Sequence, residues 1–215
     1  MPKRIAVLVS GGGTNLQALI DAQARGELVN GEIVLVISSA PGAYALERAA
    51  KAGIPSCVVA RKEYPSNQAM TAALVDRLTQ ARIDLVVLAG FMVILTGEMV
   101  QAFPNAILNV HPALIPSFSG PGCYGLHVHE KALEYGVKLT GATVHFVSEE
   151  CDGGPIVSQK AVEVLPDDTP EVLQRRVMEQ CEWQLLPQAV SLFCQDRLNV
   201  EGRTVRILNA ECRMQ

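Results

Sequence analysis

The sequence predicts an α/β fold: an open, mainly parallel Rossmann-like sheet with helices on both faces and an antiparallel extension in the C-terminal half. Three observations carry this reading. Short, uninterrupted apolar runs such as "RIAVLVS" and "DLVVLAG" alternate with longer helical segments, the pattern of βαβ units whose strands are buried on both faces. The first run passes directly into three glycines and a helix start, "VLVSGGGTNLQAL". In the second half, "KLTGATVHFV" alternates and "IVSQKAVEV" follows after a tight "CDGGP" loop, which suggests a hairpin-like antiparallel pair.

Taken in order, "RIAVLVS" reads as a buried strand and "NLQALIDAQARG" as a helix closing at Gly26. "EIVLVISS" is a second strand, "YALERAAKAG" a helix ending at Gly53, and "SCVVA" a third strand. "NQAMTAALVDRLTQARI" predicts a long amphipathic helix, "DLVVLAG" the fourth strand and "AILNV" the fifth. "HVHEKALEYG" is helical, and the antiparallel pair follows it. "DDTPEVLQRRVMEQCEWQLLPQAVSLF" begins with Thr169 as N-cap and Pro170 at the first helical position. It predicts a C-terminal helix across the sheet, bent near Pro187. "RLNVEGRTVRIL" ends the pattern as a small hairpin. No repeat, low-complexity tract or linker interrupts it, so the 215 residues are expected to form one domain over 1–215.

Composition narrows the class. An apolar fraction of 49% and a charged fraction of 19% are ordinary for a globular chain. The net charge of −4 argues against nonspecific nucleic-acid binding. Six cysteines (Cys57, Cys123, Cys151, Cys181, Cys194 and Cys212) form no CxxC pair. That is neither a zinc pattern nor a disulfide framework, and a reducing cytoplasm is the simplest setting. The N-terminal apolar run is too short for a signal peptide or a membrane span, so the expectation is a soluble cytoplasmic protein.

Two constellations point to chemistry. Glycines between a first strand and a first helix sit where open α/β sheets bind ligands, and free N–H groups at a helix start hold phosphate. The loop is not a dinucleotide fingerprint, because Leu16 stands where GxGxxG needs its third glycine and "ISSAPG" offers no ribose-binding acid. A P-loop GK[ST] is also missing. The bland alternative is a tight turn, but three consecutive glycines exceed what a turn requires. The second constellation is "AILNVHPALIP". Asn109 and His111 leave an apolar strand on the same side, and the amide and imidazole suit an oxyanion on a carbonyl carbon under attack. The alternative is a buried His bonded to a backbone carbonyl. Asp152, in "CDGGP", could orient that His, with Gly153 and Gly154 permitting close backbone approach to a ligand; alone, a simple Asp–Gly turn would be the better reading. His127 and His129 read as solvated helix residues, and His145 as a satisfied inward polar group. No spacing calls for a metal.

"SGGGTNLQALI", "VVLAGFMVIL", "ILNVHPALIPSF", "GATVHFV" and "CDGGPI" occur in the order found in the phosphoribosylglycinamide formyltransferase family. The chain resembles these folate-dependent GAR transformylases of purine biosynthesis over roughly residues 3 to 200. The resemblance implies transfer of the formyl group of 10-formyltetrahydrofolate, a cosubstrate, to the amine of glycinamide ribonucleotide (GAR), with no metal. It makes His111 the proton donor and Asn109 an oxyanion donor that also faces the folate. Asp152 becomes the carboxylate that favours the charged imidazole and organises water. Gly13, Thr14, Asn15, Leu16 and Gln17 would bind the GAR phosphate and its surroundings, and Glu182 the ribose hydroxyls. Asn67, Met92, Val93, Ile94 and Leu95 would line the folate pocket. The part about 1–105 would bind phosphate, and 106–200 would complete the catalytic and folate site.

Some residues depart from the family pattern. Val93 replaces the arginine of "FMRIL", and Asn67 aligns with another position often occupied by a cofactor-contacting arginine. The segment "SFSGPGCYGLHVH" is longer than in many relatives, and its glycines suggest a mobile flap at 117–127. Formyltetrahydrofolate deformylases carry an extra N-terminal domain and methionyl-tRNA formyltransferases an extra C-terminal one, so both fit this chain less well. A non-catalytic nucleotide-binding regulator is the reading from another class. The expected partners are the two small-molecule substrates, with no nucleic acid and no membrane, in a monomer or homodimer.

Overall fold

The computed structural model describes residues 1–209; Cys212 lies outside them. Five parallel strands form the first part of the sheet: β1 (Lys3–Val9), β2 (Gly31–Ser38), β3 (Ser56–Val58), β4 (Leu85–Leu88) and β5 (Ile107–His111). β6 (Leu139–Phe146) adds antiparallel to β5, and β7 (Ile156–Glu163) antiparallel to β6. A hairpin of β8 (Leu198–Glu201) and β9 (Thr204–Ile207) joins at the edge. Among the described residues the order is β3-β2-β1-β4-β5-β6-β7-β9-β8. The expected architecture therefore holds. The parallel order turns back on itself between β1 and β4, which is where open α/β sheets leave a crevice at their strand ends.

Strand β1 shows why these residues form a central strand. Ile5, Val7 and Val9 pack on one face with Leu16 and Leu19 of α1 (Thr14–Ala24). Leu186 and Val190 of α7 (Trp183–Cys194) complete that layer. Ala6 and Leu8 pack on the other face with Met70, Leu74 and Leu78 of α3 (Asn67–Gln80). Alternate side chains thus meet helices on both sides, and each fully buried aliphatic side chain contributes roughly 1.5–3 kcal/mol. The remaining helices are α2 (Tyr44–Lys51), α4 (Gly97–Ala102), α5 (Leu126–Tyr135) and α6 (Pro170–Val177). The sequence reading did not foresee α4, whose six residues are too few to show a period.

The C-terminal helix begins as expected, with Thr169 Oγ1 accepting from Val172 N (3.3 Å) and Pro170 at the first helical position. The sequence did not show a second irregularity before Pro187. A π-helical turn at Met178–Glu182 separates α6 from α7, while Pro187 sits inside α7. The wider turn carries Glu182 inward, where it is buried, and π-turns recur where a helix is shaped for function. Among the described residues no helix is long and apolar enough to cross a membrane.

Candidate active site

The faces of β5 differ. Leu108 and Val110 enter the core beneath α7, whereas Ile107, Asn109 and His111 point to the opposite face. Ile107 packs there with Met99 and Phe103, in and beside α4. Beyond Ile107 that face turns polar.

His111 is buried, with its side chain 4% exposed. Its Nε2 lies 2.9 Å from the Phe118 carbonyl oxygen, so that nitrogen carries a proton and donates it. Its Nδ1 lies 3.6 Å from Asp152 Oδ2. That is longer than a direct hydrogen bond. The same carboxylate reaches a second imidazole, with Asp152 Oδ1 3.8 Å from His145 Nε2. His145 Nδ1 donates to the Phe146 carbonyl (2.8 Å), so its Nε2 accepts from Asn109 Nδ2 at 3.1 Å. Burial pushes the His145 ring pKa down and keeps it neutral, as this acceptor role requires. One N–H of Asn109 is thereby fixed, and the other remains to face a ligand.

The turn after β5 is braced from β6. Thr143 Oγ1 donates to the Ala113 carbonyl (2.7 Å) and accepts from Ile115 N (3.1 Å). Gln159 Nε2 donates to the Ile115 carbonyl at 3.0 Å. Asp152 has φ 54°, a conformation Asp tolerates better than most residues. Beside it, a Cβ at Gly154 would fall 1.8 Å from the Phe146 carbonyl oxygen. Gly154 is therefore required by the close approach of this loop to β6, a role the sequence did not show. The flap lies against both acid–base groups, since Phe118 O binds His111 and Gly120 N donates to Asp152 Oδ2 at 2.9 Å.

The glycine loop opens α1 without a side-chain cap, so the first N–H groups of the helix, from Thr14 to Leu16, are available to an anion. Leu16 contributes only its backbone there, because its side chain is fully buried in the core. The Gln17 side chain is engaged, accepting from Arg48 (2.9 Å) and donating to Asp21 (2.8 Å). Gly13 has φ 70°, and a Cβ on it would sit 2.6 Å from the Ala45 Cβ of α2, whereas Gly11 and Gly12 face open space. Gly13 is therefore held by helix packing as well as by the turn. Behind the loop, Asn15 Nδ2 donates to Glu182 Oε2 (2.6 Å). Burial pushes the Glu182 carboxyl up to about 7, against the lowering effect of that bond.

The expected folate segment follows β4. Met92 and Ile94 are exposed, at 51% and 70%. Val93 and Leu95 are partly buried against the core, and Met92 N donates to Ser10 Oγ (2.8 Å). Exposed apolar side chains beside anchored backbone suit a flat heterocycle. Asn67 is the first residue of α3 and accepts from Arg61 Nε.

Sequence reasoning missed three of these groups. His145 was read as an inward polar residue, yet register places it directly opposite Asn109. Arg48 donates to the Gly12 carbonyl (2.8 Å) and brings a cation to the glycine loop. Arg61 brings a guanidinium beside Asn67. Only strand register or helix packing could have found them. Among the described residues, no group of three or more His, Cys, Asp or Glu side chains is placed to hold a metal ion.

An imidazole fixed through one nitrogen, a carboxylate beside the other and an oriented amide can exchange protons with a carbonyl-derived oxygen. Set beside the crevice of a Rossmann-like sheet, they define an α/β acid–base enzyme. More particularly, the chain belongs to the formyl transferase family, whose model matches residues 3–190. It is 44% identical over 199 residues to phosphoribosylglycinamide formyltransferase of Haemophilus influenzae, covering 93% of this chain and 91% of that protein. It is 45% identical over 194 residues, 89% of its length, to the trifunctional purine biosynthetic protein adenosine-3 of Drosophila melanogaster, but spans only 14% of that protein. The crystal structure of glycinamide ribonucleotide transformylase 1 from Symbiobacterium toebii superposes with a TM-score of 0.91 at 48% identity, covering 97% of this chain and 95% of that one.

Proposed function

We propose that this chain transfers the formyl group of 10-formyltetrahydrofolate to the amine of GAR, giving formyl-GAR and tetrahydrofolate in de novo purine biosynthesis. The observation that carries the reading is the Asn109–His145–Asp152–His111 cluster, in a chain of the formyl transferase family.

The steps follow from the groups present. The GAR amine attacks the formyl carbon, and the formyl oxygen gains negative charge. The Asn109 N–H not used by His145 donates to that oxygen, and the His111 imidazolium gives it a proton from Nδ1. Asp152 stabilises the charged ring before transfer. As the tetrahedral intermediate collapses, the oxygen returns its proton to His111 and the carbonyl re-forms, the bond to the folate nitrogen breaks, and that nitrogen takes up the proton that the former amine loses. Thr14, Asn15 and Leu16 N–H groups, with Gly13 opening the loop, hold the GAR phosphate. Arg48 adds positive potential, and Glu182 accepts from the ribose hydroxyls. Met92, Val93, Ile94 and Leu95 wall the folate ring, and Asn67 with Arg61 stands near its tail. In this reading the N-terminal part supplies the phosphate loop, and the part from about 106 to 200 the acid–base groups. Both substrates are small molecules, and the setting is the cytoplasm.

The test is to mix purified protein with GAR and 10-formyltetrahydrofolate and follow the folate absorbance and formyl-GAR by mass. Formyl-GAR production that needs both substrates is expected. Formate release without GAR would instead make the chain a hydrolase, and no product of either kind from folded protein would end the proposal.

A further inference from the structure

None of the described cysteines takes part in this chemistry, but Cys151 lies beside the Asp152 carboxylate and Cys123 lies in the flap turn that binds it. Cys151 precedes Asp152, is exposed, and places its Sγ 3.8 Å from Asp152 Oδ2. The same oxygen accepts from Gly120 N at 2.9 Å. Gly120 opens a flap turn that closes with Cys123 N donating to the Gly120 carbonyl (3.1 Å). One carboxylate oxygen is thus the meeting point of the Cys151 thiol and the turn that carries Cys123. Cys123 is partly accessible, and the Lys131 ammonium lies 3.2 Å from its Sγ, where a thiolate's charge would develop. Burial and the Asp152 carboxylate push the Cys151 thiol pKa up.

We propose that Cys123 and Cys151 are a redox pair whose disulfide latches the flap over Asp152 and closes the active site under oxidising conditions. The oxidant is a peroxide. The Cys123 thiolate attacks one peroxide oxygen, an S–O bond forms, the O–O bond breaks, and the leaving hydroxide takes up a proton as water. The Cys151 sulfur then attacks the sulfenic sulfur. The S–S bond forms, the S–O bond breaks, and the departing hydroxide leaves as water with the Cys151 proton. Two thiols lose two electrons in all, and the peroxide is reduced to two waters. The bond needs the two Cα atoms about 5.5–6 Å apart, so the proposal requires the partly exposed Gly120–Cys123 turn to come within that distance of Cys151. Intracellular disulfides of ordinary proteins are typically transient and redox-sensing, and a reductant reopens the flap. The buried Cys181 and Cys194 are shielded from such chemistry.

The experiment treats the full-length protein with stoichiometric hydrogen peroxide and maps non-reduced peptides by mass spectrometry. A Cys123–Cys151 linked peptide is expected, together with a turnover loss of about tenfold or more that dithiothreitol reverses. Cys151→Ser should give no linked peptide, leave a dimedone-reactive sulfenic acid on Cys123, and lose far less turnover. Oxidation of either thiol without the linked peptide would overturn the proposal. So would a linked peptide with unchanged turnover, or a loss in Cys151→Ser equal to the parent's. Peptide mapping needs no catalysis, so a failure of the assigned reaction and a failure of the latch are distinguishable.

Discussion

Glu182 ties the phosphate loop to the stability of the whole protein, and Glu182→Gln separates the two. The carboxyl is buried at the π-helical turn, with Asn15 as its hydrogen-bond donor, and burial lifts it from 4.5 to about 7. Each pH unit of such displacement is worth about 1.4 kcal/mol, so the lift corresponds to at most about 3 kcal/mol. The sign follows from proton binding. Between pH 4.5 and about 7 the folded protein holds a proton that the unfolded chain has released, so stability falls as pH rises through that window. Below it the group costs nothing, and above it the penalty is full and constant. Gln keeps the shape and can still accept from Asn15, but it never ionises. Urea unfolding followed by circular dichroism, run on both proteins across the window, should show the variant gaining on the parent with rising pH and levelling off by about 3 kcal/mol. A difference that stays flat would refute the buried-carboxylate account. Above about pH 7, where Glu182 is ionised, the same variant should show a KM for GAR raised about tenfold, about 1.4 kcal/mol, as the proposed ribose contact loses its charged acceptor.

Asn109→Ala and His111→Ala should each lower kcat about 10²–10³-fold, and Asp152→Asn should lower it strongly with little change in the KM for GAR; near-normal turnover in folded variants would undo the assignment. His145→Ala leaves the Asn109 amide unheld and should cost about tenfold in kcat with an unchanged KM; a loss confined to KM would make His145 a binding residue instead. Gly13→Val must accommodate a Cβ 2.6 Å from Ala45 Cβ at φ 70°, so thermal unfolding should report a loss of about 1–3 kcal/mol, whereas Gly12→Ala should melt like the parent. His129 is fully buried, its ring nitrogens lack a partner among the described residues, and burial pushes it down to about 4. Its neutral form supports the fold above about pH 6.5, and that support is lost as pH falls toward about 4. His129→Phe should flatten the acid limb of the stability curve, and an unchanged limb would show that His129 does not titrate there.

The fold was legible because its signals are local. Strands buried on both faces write themselves as continuous apolar runs, and Thr169–Pro170 mark a helix start with two residues. What stayed hidden depends on register and packing. His145 becomes a site residue only because β6 pairs antiparallel with β5 and sets it opposite Asn109. His129 looked like a solvated helix residue, yet α5 turns it fully inward, and one helical turn cannot show which face docks. Gly13 read as phosphate loop or tight turn, but the approach of Ala45 from α2 also demands it. Glu182 was assigned through resemblance; its burial rests on a π-turn that propensity does not reveal.

The polar end of β5 follows from how its two faces are covered. Leu108 and Val110 lie in the core beneath α7, with Val144 and Phe146 of β6 beside them, so those positions have to be apolar. On the other face helical cover ends where Met99 and Phe103 pack on Ile107. Residues 109 and 111 there meet His145 of β6, the flap backbone at Phe118 and Gly120, and the Asp152 loop. Those neighbours offer a carbonyl, an amide and a carboxylate, and polar side chains satisfy them at the least cost. Part of the burial there is supplied by the flap loop and not by a packed helix. The strand therefore stays greasy on its core side and carries Asn109 and His111 where a buried site must still admit substrate.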